Sequence, residues 1–106
     1  MEMEPRLKAK LLVQALVRRC GAENRAAYVV RRGDADSGAV LVKRTSVEGC
    51  TVFQTVFSDD GSRRFLAVTG DAPGPEAEAD AFLARQTRID EDAWVVEVEA
   101  PSGWTP

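Results

Sequence analysis

The sequence predicts an α+β domain: a mainly antiparallel sheet of about five strands with two helices, in the order α-β-β-β-β-α-β. Three observations carry this. Lys10, Gln14 and Arg18 recur every fourth residue within an otherwise apolar stretch, which is helical spacing. Between residues 27 and 69, runs rich in β-branched residues alternate with clusters of Gly, Asp and Ser, which is the pattern of strands joined by turns. Finally, Trp94, Val96 and Val98 alternate with Val95, Glu97 and Glu99, as in a strand with one strong inner face.

Taken in order, Met1 to Glu4 should fray, and Pro5 suits the first helical position, where its missing N–H costs nothing. A helix is expected from Arg6 to Arg19, stopped by Gly21. Leu7, Leu11, Leu12, Leu16 and Val17 fill most of its circumference, so it should be covered on more than one side. Ala27–Arg32 and Ala39–Arg44 then flank the turn formers of residues 33–38 and read as a hairpin with residues 34–37 as its loop. Both faces of that hairpin are apolar in the middle, so each should be covered, by the chain itself or by a second copy.

A third strand over Thr51–Phe57 follows a turn at Glu48-Gly49. Ser58-Asp59-Asp60-Gly61 turns the chain into a fourth strand, Arg64–Thr69. Two glycines and two prolines make residues 70–75 a loop. Pro75 opens a second helix whose early Glu76, Glu78 and Asp80 suit the helix dipole. Its buried face should be Ala79, Phe82, Leu83, Gln86 and Ile89. Pro101 closes the last strand, and residues 101–106 are expected to be a mobile tail that carries Trp104. That indole could dock on its own domain or enter a partner. The whole, 1–106, is one domain.

Composition bounds the chemistry. With 44% hydrophobic and 29% charged residues, the chain is ordinary for a globular domain. No apolar run approaches the roughly 18–20 residues that span a bilayer, and no signal peptide is visible, so a cytoplasmic protein without membrane contact is expected. The absence of histidine removes Ser-His and Cys-His pairs and histidine metal sites. Cys20 and Cys50 form no C-x-x-C and are expected to be free, buried thiols. No catalytic residue and no cofactor is assigned. Charge is polarised: residues 1–44 carry a net +5 and residues 71–106 a net −7. Arginine and lysine doublets could bind anions, with Arg31 and Arg32 the candidate anion-binding pair. Adjacent strand residues point to opposite faces, however, so each doublet gives one charge per face. A pI near 5.0 is poor for nucleic-acid binding.

Asp34 and Asp36 are the candidate metal ligands, since alternate loop carboxylates can aim oxygens at one hard cation. The competing reading is a turn in which Asp accepts local backbone N–H groups and Gly takes positive φ. Arg31 and Arg32 beside them weigh against the metal.

Several stretches fit together. They are Arg6-Leu7-Lys8, Ala15–Arg19, the run from Arg31 to Lys43, Glu78–Phe82 with Ala84-Arg85-Gln86, and Asp90-Glu91-Asp92 leading into Trp94–Glu99. Together they make the chain resemble, over nearly its whole length, a small bacterial family known as domain of unknown function 1491. It departs from that pattern at Glu91, where proline is expected, and in its short proline-rich end. The resemblance implies a small stand-alone bacterial protein and supplies no activity, cofactor or catalytic residue.

Three functional readings follow. The leading one is a non-catalytic protein-interaction or accessory domain, with a homodimer or another protein as partner. A small metal-dependent enzyme using the Asp34/Asp36 loop, with Arg32 holding an anionic substrate, is the first alternative. Nucleic-acid binding through the basic N-terminal part is the second.

Overall fold

The computed structural model describes residues 8–106, so the expectations for Met1–Glu4 and Pro5 lie outside the described residues. Seven elements follow in the expected order: α1 (Ala9–Ala22), β1 (Ala27–Arg31), β2 (Val40–Ser46), β3 (Gly49–Phe57), β4 (Arg63–Ala67), α2 (Glu76–Ile89) and β5 (Trp94–Glu99). They form one five-stranded sheet in the order β1-β5-β2-β3-β4. All neighbours are antiparallel except β2 and β5.

The expected hairpin between β1 and β2 does not form. The last strand enters between them, pairing antiparallel with β1 (Ala27 opposite Val98) and parallel with β2 (Val42 opposite Val96). Two glycines explain the difference. A Cβ at Gly33 or Gly38 would collide with the main-chain carbonyl of Asp92. These glycines therefore let the 33–38 loop fold tightly over the start of β5; neither has the positive φ expected of a hairpin glycine. Asp34 N–H donates to that same Asp92 carbonyl (2.9 Å), and the Trp94 indole N–H donates to the Asp34 carbonyl (2.8 Å).

The two helices cover opposite faces of the sheet. Ala9, Val13, Leu16 and Cys20 of α1 pack on Val40, Val42, Phe53, Trp94, Val96 and Val98. Ala79 and Leu83 of α2 pack on Leu41, Cys50, Val52 and Val95. The central strands are thus apolar on both sides because both sides are buried within one chain. Only one stripe of α1 is covered, leaving Leu11 half exposed, and Ile89, at the end of α2, is exposed rather than buried. α1 also runs past Gly21. It ends where Asn24 takes a left-handed conformation (φ 59°), with Arg25 N–H donating to the Cys20 carbonyl and Asn24 N–H to that of Gly21.

Adjacent residues on β2 anchor the two faces. Lys43, buried, reaches Glu76 and Asp80 of α2 at 2.7 Å each, with Glu97 at 3.9 Å. Burial opposes its charge, yet the hydrogen bonds to Asp80 and Glu76 and the field of Glu97 hold the ammonium above its ordinary value. Arg44, also buried, faces the other way. It donates to the Trp104 carbonyl (2.7 Å) and to Thr51 Oγ1 (3.0 Å), and lies 5.2 Å from the Phe53 ring centre. The segment expected to be a mobile tail therefore places Trp104 on its own domain. The indole is buried, donates to Glu23 (3.0 Å) and lies beneath the Arg19 guanidinium (4.8 Å).

Candidate functional site

Arg31 and Arg32 part ways at the end of β1, as neighbours in an extended chain must. Arg31 turns inward over the β5 entry and donates from Nη1 to the carbonyls of Glu91 (3.0 Å) and Ala93 (2.8 Å), tying down the turn before β5. Its guanidinium serves the fold. Arg32 stays exposed, with its guanidinium 5.6 Å from the centre of the Trp94 ring.

Arg32 is one wall of a groove of about 500 Å³ between α1 and β1. The floor is apolar: Val13 and Val17 from α1, Val29 from β1, and the Trp94 indole. The opposite rim is the stripe Lys10, Gln14 and Arg18. Spacing by four puts these three on one flank of α1, over a length of about 12 Å at ~1.5 Å per residue. None of the ion pairs among the described residues uses Lys10, Arg18 or Arg32. The sequence displays this stripe as a helical surface. Nothing local in it signals that the strand carrying Arg32 lies alongside, because β1 reaches that place only through its pairing with β5.

The structure keeps Asp34 and Asp36 close in the chain but gives them separate tasks. Asp34 Oδ2 accepts from Asp36 N–H (3.0 Å), Ser37 N–H (2.8 Å) and Ser37 Oγ (3.0 Å). The bonds from Ser37, then that from Asp36, hold its carboxyl below the ordinary carboxylate range. The Asp36 carboxylate lies 3.7 Å from Lys8 Nζ, both exposed. No group of three or more His, Cys, Asp or Glu among the described residues is placed to hold a metal ion. Cys20 and Cys50 are free and buried, in core clusters on opposite faces of the sheet, and burial pushes the Cys20 thiol up.

A family profile described as protein of unknown function, DUF1491, matches residues 7–106. The chain belongs to the DUF1491 family. Three solved structures resemble this DUF1491 protein closely. The crystal structure of a DUF1491 family protein from Caulobacter crescentus is 38% identical, covers 92% of each chain and superposes with a TM-score of 0.80. An NMR structure of a DUF1491 family protein from the same organism is 36% identical, with 92% of this chain and 89% of that one covered and a TM-score of 0.77. The solution structure of protein Atu0922 from A. tumefaciens is 33% identical, covers 89% of this chain and 86% of its own, and gives a TM-score of 0.75. No functionally curated protein matches. The DUF1491 resemblance read from the sequence is thereby established for the family and for the fold. No helix among the described residues is long and apolar enough to cross a membrane.

Proposed function

We propose that this DUF1491 protein is a non-catalytic interaction or accessory domain of the bacterial cytoplasm, and that it meets its partner on the α1–β1 side. The observation that carries this is the groove, where three cations without carboxylate partners among the described residues surround an apolar floor. Lys43 and Arg44 spend their charge on internal contacts, whereas these three cations ring an apolar hollow, an arrangement that favours an external partner. Two features support a non-catalytic role: the chain has no histidine, and both thiols are buried. The metal-enzyme alternative draws less support, because the Asp34 carboxylate already serves three local donors.

The test is comparative. The chain is tagged in its native host, and co-purifying proteins are quantified for the wild type, for Arg18→Glu with Arg32→Glu, and for Arg85→Glu on α2. A set of partners lost only from the double groove variant is expected. If all three forms carry the same proteins, the α1–β1 side is not the interaction surface.

A further inference from the structure

The groove's dimensions narrow what can occupy it. Side chains four apart on a helix are displaced by about 6 Å along its axis. Side chains two apart on an extended chain are displaced by about 6.8 Å and share a face. A row running from Lys10 through Gln14 to Arg18 therefore matches alternate residues of an extended segment far better than it matches a single charged group. Such a segment would turn every second side chain toward that rim and the others toward the floor of Val13, Val29 and Trp94. Among the described residues β1 is the outermost strand of the sheet and one edge of it is unpaired, and Tyr28, Val29 and Val30 along it are 54%, 42% and 56% exposed. The irregularity between Val29 and Arg31 limits further strand pairing to the first half of β1. Side-chain recognition in the groove must accordingly do most of the selecting.

Resting on the reading of this side as the interaction surface, we propose that the partner presents an extended acidic segment. Carboxylates at alternate residues face the rim of Lys10 and Arg18, Arg32 adds positive charge from the opposite wall, and apolar side chains between the carboxylates settle on Val13, Val29 and Trp94. The complementarity is one of charge and of repeat, and it selects against basic and neutral segments alike.

The probe is a capped hexapeptide alternating glutamate and valine, titrated into the full ¹⁵N-labelled chain to about 1 mM, the range where weak peptide contacts register. Alongside it run the same peptide with glutamine, the same peptide with lysine, and sodium octanoate. The acidic peptide is expected to move the Trp94 indole and Val29 amide signals saturably, and to bind more weakly as salt is added. In the variant K10Q/R18Q/R32Q its affinity should fall about tenfold, the cost of two exposed charge pairs and of the Arg32 charge across the groove. All three side chains are exposed. Should the triple variant lose its dispersed spectrum, R18Q alone serves.

Equal binding of the glutamine or lysine peptide overturns the proposal. If octanoate moves the groove signals and the acidic peptide does not, the surface binds but the occupant is wrong. If nothing moves them, the interaction reading falls too. A dimer in light scattering that Val29→Lys dissociates would make a second copy the occupant and also overturn the proposal.

Discussion

Replacing Trp104 by alanine tests whether the C-terminal segment belongs to the core. The indole is 8% exposed and packs in the cluster that includes Leu16, Cys20 and Val98. Buried Trp→Ala changes cost about 3–5 kcal/mol. A second loss follows if the segment lifts away. Arg44 would then lose the Trp104 carbonyl, its 2.7 Å acceptor, and its Nε already has no acceptor among the described residues. An unsatisfied buried donor adds about 1–3 kcal/mol. A net loss of about 3–5 kcal/mol is expected, and more if the segment lifts away, which for a domain near one hundred residues lowers Tm by at least about 12 °C. Urea unfolding followed by far-UV circular dichroism gives the value directly. Trp104→Phe should cost less than Trp104→Ala, because a six-membered ring remains while the rest of the indole and its N–H to Glu23 go. A loss below about 1 kcal/mol for Trp104→Ala, no more than an ordinary surface change, would refute the assignment of this segment to the core.

Four further outcomes are expected. Gly33→Ala forces a Cβ onto the Asp92 carbonyl and should cost about 1–3 kcal/mol in the same urea assay, whereas Gly21→Ala, with open space around it, should not destabilise. Lys43→Met should cost about 1–3 kcal/mol at neutral pH, below the figure for a fully buried pair because Glu76 and Asp80 are more than half exposed. Since the folded-state pKa of Lys43 is raised from 10.5, its contribution is complete below that value and fades only as pH climbs toward the folded value; the gap between wild type and variant should narrow only there. Asp34 behaves in the opposite sense. Its lowered carboxyl contributes stability above about pH 3.9 that is lost as acid titrates the folded form, which a carbon-detected NMR titration would locate. Calcium at about 1 mM, the weak end of loop-site affinity, should leave the Asp36 and Ser37 amides unmoved; a saturable shift would show the carboxylate free for metal.

Legibility in the sequence divided along physical lines. Helix periodicity, strand alternation and turn composition are local, and they placed all seven elements in order. What they could not convey was pairing. Residues 33–38 have the composition of a hairpin turn, and only the contact of Gly33 and Gly38 with Asp92 distinguishes a loop draped over a third strand from a simple reversal. The site followed the same division. Arg32 stood out as a charged strand end and the Lys10–Arg18 stripe as a helix surface, yet their meeting depends on β5 separating β1 from β2. Arg31 was indistinguishable from Arg32 by composition, and its role emerged from carbonyls some sixty positions away. Trp104 was the inverse case: a polar, proline-rich neighbourhood disguised an anchor whose partners, Glu23 and Arg44, lie in the first half of the chain.

The place of β5 bears on how the chain is made. β1 leaves the ribosome early, yet its one strand partner among the described residues is β5, the last of the five in chain order, and β2 likewise waits for its parallel neighbour. Until Trp94–Glu99 emerges, only β2, β3 and β4 can pair, as two successive hairpins, while the valines of β1 have no strand to join. Emergence of β5 is therefore the event that closes the sheet. A chain truncated before residue 94 should persist as a three-stranded fragment trailing an unsatisfied, aggregation-prone N-terminal third.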